Sequence, residues 1–537
     1  MILDANERER LARQAQELFL AEPADYTTAV PALRQAAALG DVWCLCTLGW
    51  CCEFGKGTEL DLPQAAWLYR QAADKGYPPA QCNLAVLHIT GKGMAPDPAQ
   101  GAYWLEKAAA QGFARAQYLL GTLYQDGRGV EKDQKRAARL FGDAAFQGYA
   151  AAQFSLGVCY ERGRGVERNF ETALHQYQLA AAQGHIAAVY NAGYFYEMGL
   201  GTERDPVKAA QLYARAAEAG DSDGQCSLAW CYDTGTGVEK DPRKAVELYQ
   251  KAVDQGHLRA MHNLAWCYRM GQPGADGPDR KEKAVELFRR AASQGYMSSV
   301  CDLGICYQEG WGVPQDLDKA LELYRQAAER GLAKAMNCLG ECHWRGEGVE
   351  LNLQTALEWF EKGAAGGNPE AQFNAAWFLD EGLAGEADHA RAVHWYEALL
   401  KQALPERECW RNGVNNLGEC YRYGRGVEKN LETAETLYRM AGQSGNDMAW
   451  FNLGEMYHQE KGDPVAAAGY YRTGVETCTE GGDCALALAL LYESGQGVEQ
   501  NEDKAVELAR LALKRAGGDE QVIRDATALL DRQGAQH

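Results

Sequence analysis

Three kinds of residue in this chain have spacing that could support chemistry. The first is a recurrent Gly-x-Gly, at Gly127/Gly129, Gly163/Gly165, Gly235/Gly237, Gly310/Gly312 and Gly495/Gly497. Such pairs cradle phosphates when a strand precedes them and a Walker lysine or the full dinucleotide pattern completes them. Here each pair follows a helical segment, recurs along the chain and has neither partner, so glycine acts as the left-handed helix terminator. The second kind is cysteine, present 17 times. Cys338 and Cys342 share a helix face with His343 beside them. A zinc site takes about four ligands in short-spaced pairs, and no second pair is present, so no metal is expected. The third kind is histidine, ten in number and scattered. No Ser-x-x-Lys, His-Glu-x-x-His or Gly-x-Ser-x-Gly pattern occurs. The sequence therefore predicts no catalysis and no cofactor.

The elements that hold these residues repeat. Taking the small residue after the first-helix leucine as an anchor, copies fall at Gly49, Ala85, Gly121, Gly157, Gly193, Ala229, Ala265, Gly304, Gly340, Ala376, Gly418, Gly454 and Ala489. The step is 36 residues in nine of the twelve intervals, with 39, 42 and 35 in the others. A fixed period of this length marks a solenoid, whose units bury their apolar faces only against neighbours. A tyrosine recurs three residues past the anchor, as at Tyr124, Tyr196 and Tyr307. After the turn comes an Asp or Asn four residues before an alanine (before Gly101 in the case of Asp97): Asp61, Asp97, Asp133, Asn169, Asp205, Asp241, Asp316, Asn352, Asn430, Asp463 and Asn501. These are preferred N-caps for a second helix, and Asp279 and Asp388 are expected to cap the two irregular copies. The second helix carries an aromatic, Ala-Ala and a closing glycine, as in Tyr213, Ala216, Ala217 and Gly220. The expected fold is all-α: a right-handed α/α superhelical solenoid of about 13 helix-turn-helix units.

At these residues the chain resembles the Sel1-like repeat family, a relative of the tetratricopeptide repeats. Its pattern, roughly A-x-x-L-G-x-x-Y-x-x-G-x-G-V-x-x-D-x-x-K-A-x-x-W/Y-x-x-A-A-x-x-G, is matched by Ala114 to Gly148 almost throughout, and the resemblance spans residues 24 to 516. Cys52, His88, His343 and Leu379 replace the tyrosine, and the Gly454 copy lacks Gly-x-Gly. The resemblance implies an adaptor for proteins or peptides, of a kind found in bacterial signalling, envelope and secretion-related complexes and in eukaryotic degradation machinery. Some cysteine-rich relatives have been linked to β-lactam binding, which makes a β-lactam-binding hydrolase an alternative; the matching serine motif is missing here.

Five blocks are expected: capping helices at 1–40, repeats at 41–270, 271–398 and 399–516, and a capping helix at 517–537. The amphipathic stretch ERERLARQAQELFL within Met1 to Glu22 lacks the apolar core of about 7–15 residues that a signal peptide needs. Thr27 to Gly40 reads as a second helix without a clear first partner. Gly271 to Pro278 reads as a loop. Leu399 to Gly413 adds six residues, predicting a bend with looser packing or a lengthened second helix. No apolar run of about 18 residues occurs, so no membrane span is expected. With 54 basic and 74 acidic residues the net charge is −20, and no basic stripe is present to displace counter-ions. Nucleic acid and anionic membranes are therefore disfavoured as partners, and a basic protein or peptide suits the charge.

Seven cysteines share the slot two past the anchor: Cys51, Cys159, Cys231, Cys267, Cys306, Cys342 and Cys420. Neighbouring copies of a slot lie on the order of 9 Å apart, beyond the ~7 Å Cα limit for bridging. Small buried thiols in a reducing cytoplasm are expected. On the first helix, the slots two before, one after and five after the anchor lie within about 60° of one another, away from the packing face. They hold Asn191, Asn263 and Asn374 in one row and Tyr194, Trp230, Trp266 and Trp377 in another. An asparagine amide can grip a peptide backbone in related tetratricopeptide domains, and its donor and acceptor suit an extended chain, while aromatics supply apolar area. The same asparagine could instead bond the adjacent helix. The reading is a non-catalytic, monomeric cytoplasmic scaffold that binds a polypeptide on its concave face. The alternative is a non-classically secreted effector acting on a host or envelope partner.

Overall fold

The computed structural model describes residues 5–21, 25–478 and 482–534. Residues 1–4, 22–24 and 535–537, which belong to the expected terminal caps, lie outside the described residues. Among the described residues the chain forms 29 helices and no strand. In the Gly121 copy, the helix Ala114–Asp126 ends at Gly127, whose φ of 74° and backbone N–H to Leu123 terminate it. Six residues later Asp133 accepts from the Lys135 and Arg136 amides and starts the helix Gln134–Phe146. Ten of the other expected caps accept in the same way, from Asp61 to Asn501, and so does Asp388. Asp279 does not. It stands at the cap position without a cap bond, and its carboxylate pairs with Lys283 at 2.9 Å.

The chain divides into two compact units, Met1–Leu264 with Gly271–Asp276, and Ala265–Met270 with Gly277–His537. Each is a stack of helix hairpins. The anchor glycine faces the second-helix ring of its own copy. A Cβ on Gly157 would stand 2.6 Å from Tyr177, and one on Gly340 2.5 Å from Phe360. Those rings are fully buried, each stabilising the stack by about 1.5–3 kcal/mol. The second glycine of each turn has a separate task. A Cβ on Gly165 would meet the Gln134 carbonyl oxygen of the preceding copy at 2.0 Å, and one on Gly237 would meet Pro206 at 2.0 Å. Each turn thus leans on the start of the preceding copy's second helix.

The helix Tyr26–Ala38 does have a first partner. The amphipathic helix Ala5–Phe19 packs along it, and Phe19 stacks edge-on against Trp43 and Trp50. Residues 271–276 form the expected loop, tied to the first unit by Gln272 donating to Asp233 at 2.9 Å. The insertion at 399–413 behaves differently from either expectation. Its residues extend the following first helix to Glu408–Tyr423, where Trp410 is buried and donates to the Leu400 carbonyl. An indole available for burial makes helix extension favourable over loose packing. The Gly454 copy keeps both helices, Asp447–Gln459 and Pro464–Thr477, across a shorter turn.

Candidate functional site

The seventeen cysteines stand outside any disulfide, and fifteen are buried. Burial pushes Cys46 up to about 12 and Cys82 and Cys159 up to about 11, so these sulfurs stay protonated and un-nucleophilic at neutral pH. No group of three or more His, Cys, Asp or Glu residues among the described residues could hold a metal ion. The turn amides are occupied as well: Gly127 and Arg128 both donate to Leu123, and Asp133 donates to Tyr124.

The stripe on the first helices is the distinctive exterior. Apart from Met448, the exposed large apolar side chains of the repeats' first helices all fall one or five residues past an anchor. In the first unit these are Phe54, Tyr194, Met198 and Trp230; in the second, Met270, Tyr423 and Leu490. Tyr194 is 41% exposed and Trp230 38%. Trp266 is half-buried, donating from Nε1 to Asp302 at 2.7 Å with Lys334 over its ring. Trp377 is half-buried too, edge-on to Trp344 at 5.5 Å. The structure therefore leaves Tyr194 and Trp230 open and engages Trp266 and Trp377. Met198 belongs with the open pair; its slot was already on the expected face.

The asparagines sit behind the aromatics and serve the seams between copies. Asn263 donates to the Tyr249 hydroxyl at 3.3 Å and Asn374 donates to Asn337 at 3.0 Å, while Asn191 lies close to the Tyr177 hydroxyl. The buried tyrosine hydroxyl passes its own proton to the residue four past the anchor: Tyr177 to Glu161, Tyr213 to Glu197, Tyr69 to Glu53. Replacing Tyr177 by Phe should keep the ring against Gly157 but leave Glu161 without its donor. The expected loss is about 1–2 kcal/mol, read as a lowered urea midpoint. Two further ladders escaped the sequence reading. Gln81, buried, donates to the Ala73 carbonyl and accepts from Gln111, a pattern repeated at Gln153 with Ala145 and Gln183. A cation three past the cap lies over the recurrent tyrosine, Arg136 over Tyr124 and Lys208 over Tyr196, both at 4.1 Å.

The Sel1 repeat model matches residues 45–77, 78–113, 114–149, 150–185, 186–221, 222–257, 258–296, 298–332, 333–368, 369–402, 413–446 and 482–516. The chain belongs to the Sel1 repeat family. The matches pass over the Gly454 copy, although its helix pair is present. A protective antigen of uropathogenic Escherichia coli displaying an SLR fold is 30% identical, with a TM-score of 0.59 over 95% of this chain and 98% of that one. A Sel1 repeat protein from Oxalobacter formigenes is 31% identical, with a TM-score of 0.42 over 46% of this chain and 96% of that one. The ERAD-associated E3 ubiquitin-protein ligase component HRD3B of Arabidopsis thaliana is 29% identical over 120 residues, 20% of this chain and 20% of that protein. The chain thus spans about a fifth of that relative's length. No helix among the described residues is long and apolar enough to cross a membrane.

Proposed function

We propose that this Sel1 repeat protein is a non-catalytic scaffold that holds a polypeptide along its first-helix wall, with Tyr194, Met198 and Trp230 as the apolar anchors in the first unit. The observation that supports this reading most is the confinement of exposed large apolar side chains on the first helices to one stripe. Exposed aromatic anchors at regular spacing are what a polypeptide partner can use, since each offers large area at small entropic cost. Asn263 and Asn374 contribute to the reading by holding the wall rigid, as their amides are already bonded within the protein. The kinship with a ligase component that works in an assembly is in keeping with it.

The test is capture of partners by the intact protein and by a Tyr194→Ala/Trp230→Ala variant. Each aromatic truncation at a binding hot spot costs about 2 kcal/mol, so the double variant should retain less than roughly a tenth of the partner. Equal retention by both proteins would refute the placement. A second reading, an exported effector, is supported by the similarity to a protective antigen, a protein met by a host's immune system. Fractionation of the producing cells separates the two readings: the scaffold stays in the cytoplasm and the effector is recovered outside it.

A further inference from the structure

The second unit contains a cavity of ≈ 750 Å³ between the first helices Met297–Glu309, Ala333–Arg345 and Pro369–Asp380. Ile305, Cys338 and Glu341, which line it, occupy the slots one after and two before the anchors Gly304 and Gly340. The cavity is therefore part of the same first-helix wall, and the inference rests on reading that wall as the polypeptide-binding face. Its charges can be counted. Lys334 places Nζ 2.5 Å from Asp302, and Arg407 places Nη1 2.6 Å from Glu370. Glu341 is the lining charge left over. Its Oε1 accepts from the Asn337 amide at 2.8 Å, and the cation one turn on, Arg345, pairs with Glu347 at 4.0 Å instead. Burial holds the Glu341 carboxyl above its ordinary range, against the smaller opposing pulls of the Asn337 amide and the Arg345 cation. The amides that begin the helices Ala333–Arg345 and Pro369–Asp380 also edge the cavity; the second start is capped by Asn368 and carries Glu370 in its first turn, and the first amounts to about half a charge, less than a full carboxylate.

We propose that this cavity receives the guanidinium or ammonium head of a basic side chain on the bound polypeptide, with Glu341 as its counter-ion. Ile305 and Cys338 give the methylene stem of such a side chain apolar surface to lie on. A charged hydrogen bond formed in a partly desolvated site is stronger than a neutral one, and a half-buried carboxylate awaiting a cation discriminates by charge.

The test uses three probes: N-acetyl-argininamide, its neutral isostere N-acetyl-citrullinamide, and the acidic N-acetyl-glutamic acid amide, each added to the full-length protein and followed by saturation-transfer difference NMR. The argininamide should receive saturation and the other two little. Glu341→Gln keeps the acceptor for Asn337 but removes the charge, and should weaken argininamide binding about tenfold. Glu386→Gln, at an exposed acid of the same unit, should leave it unchanged. Undiminished transfer in Glu341→Gln, an equal loss in Glu386→Gln, or a preference for the citrulline or glutamate probe would overturn the proposal. The Tyr194→Ala/Trp230→Ala variant should keep the argininamide signal, so failure of the stripe and failure of the cavity give different results.

Discussion

Replacing Gly165 by alanine is expected to destabilise the stack by about 3 kcal/mol, roughly three times the cost of the same change at Gly148. Both glycines have positive φ, +74° at Gly165 and +84° at Gly148, so an L side chain at either costs about 1 kcal/mol in backbone strain. The surroundings differ. A Cβ at Gly148 meets nothing within 4 Å. A Cβ at Gly165 stands 2.0 Å from the Gln134 carbonyl oxygen, 2.4 Å from its carbon and 2.9 Å from the Lys135 amide. Those are backbone atoms of a helix start fixed by the Asp133 cap, so no side chain can swing aside. The turn must lift off the preceding copy, at an overpacking cost of about 1–3 kcal/mol. Stacked repeats open locally, so native-state hydrogen exchange of the amides in Gln134–Phe146 is the measurement of choice. Equal protection in the two variants would mean that the second turn glycine merely terminates a helix.

That distinction also shows where the sequence ceases to be legible. The hairpin, its eleven caps and its glycine stops rest on chemistry within a few residues, such as Asp133 reaching Lys135 and Arg136, and the spacing alone discloses them. The seams between copies do not work that way. Gln81 meets Gln111 across 30 residues, and Gly165 meets Gln134 across the offset between neighbouring hairpins, which no residue type announces. The asparagine slot shows the same limit, because Asn263 could face either water or the Tyr249 hydroxyl, and only packing decides for the latter. The aromatic slot was legible as a face but not residue by residue. Trp230 is open, whereas Trp266 is held by Asp302, a residue supplied 36 positions later. Asp279 failed as a cap because the lengthened loop delivers it at φ −90° and ψ 14°, unlike the extended backbone of the other caps, and its carboxylate turns to Lys283 instead.

Arg422 is expected to be the costliest charged side chain to remove, with Arg422→Met lowering stability by about 3–5 kcal/mol. It stands four past the anchor Gly418, the slot where other copies place the Glu or Gln that accepts from a buried tyrosine. A cation there reverses the local polarity, and the next copy answers it. Its helix ends at Gln459, with Glu460 at the cap in place of the glycine that ends most of the first helices. Glu460 Oε1 lies 2.9 Å from Arg422 Nε, while Nη1 donates to the Asn452 carbonyl at 3.3 Å. The guanidinium is 2% exposed and its carboxylate partner 19%. Truncating the arginine leaves Glu460 poorly solvated and without its cation, which is why the loss exceeds that of a surface pair. Arg422→Met/Glu460→Leu removes both charges and should recover much of the loss, because an apolar pair of similar volume avoids the desolvation cost. Urea unfolding of the wild type, the two single variants and the double variant gives the coupling energy directly. A coupling below about 0.5 kcal/mol would show that the shortened turn is held by helix packing alone, and that Arg422 only fills space.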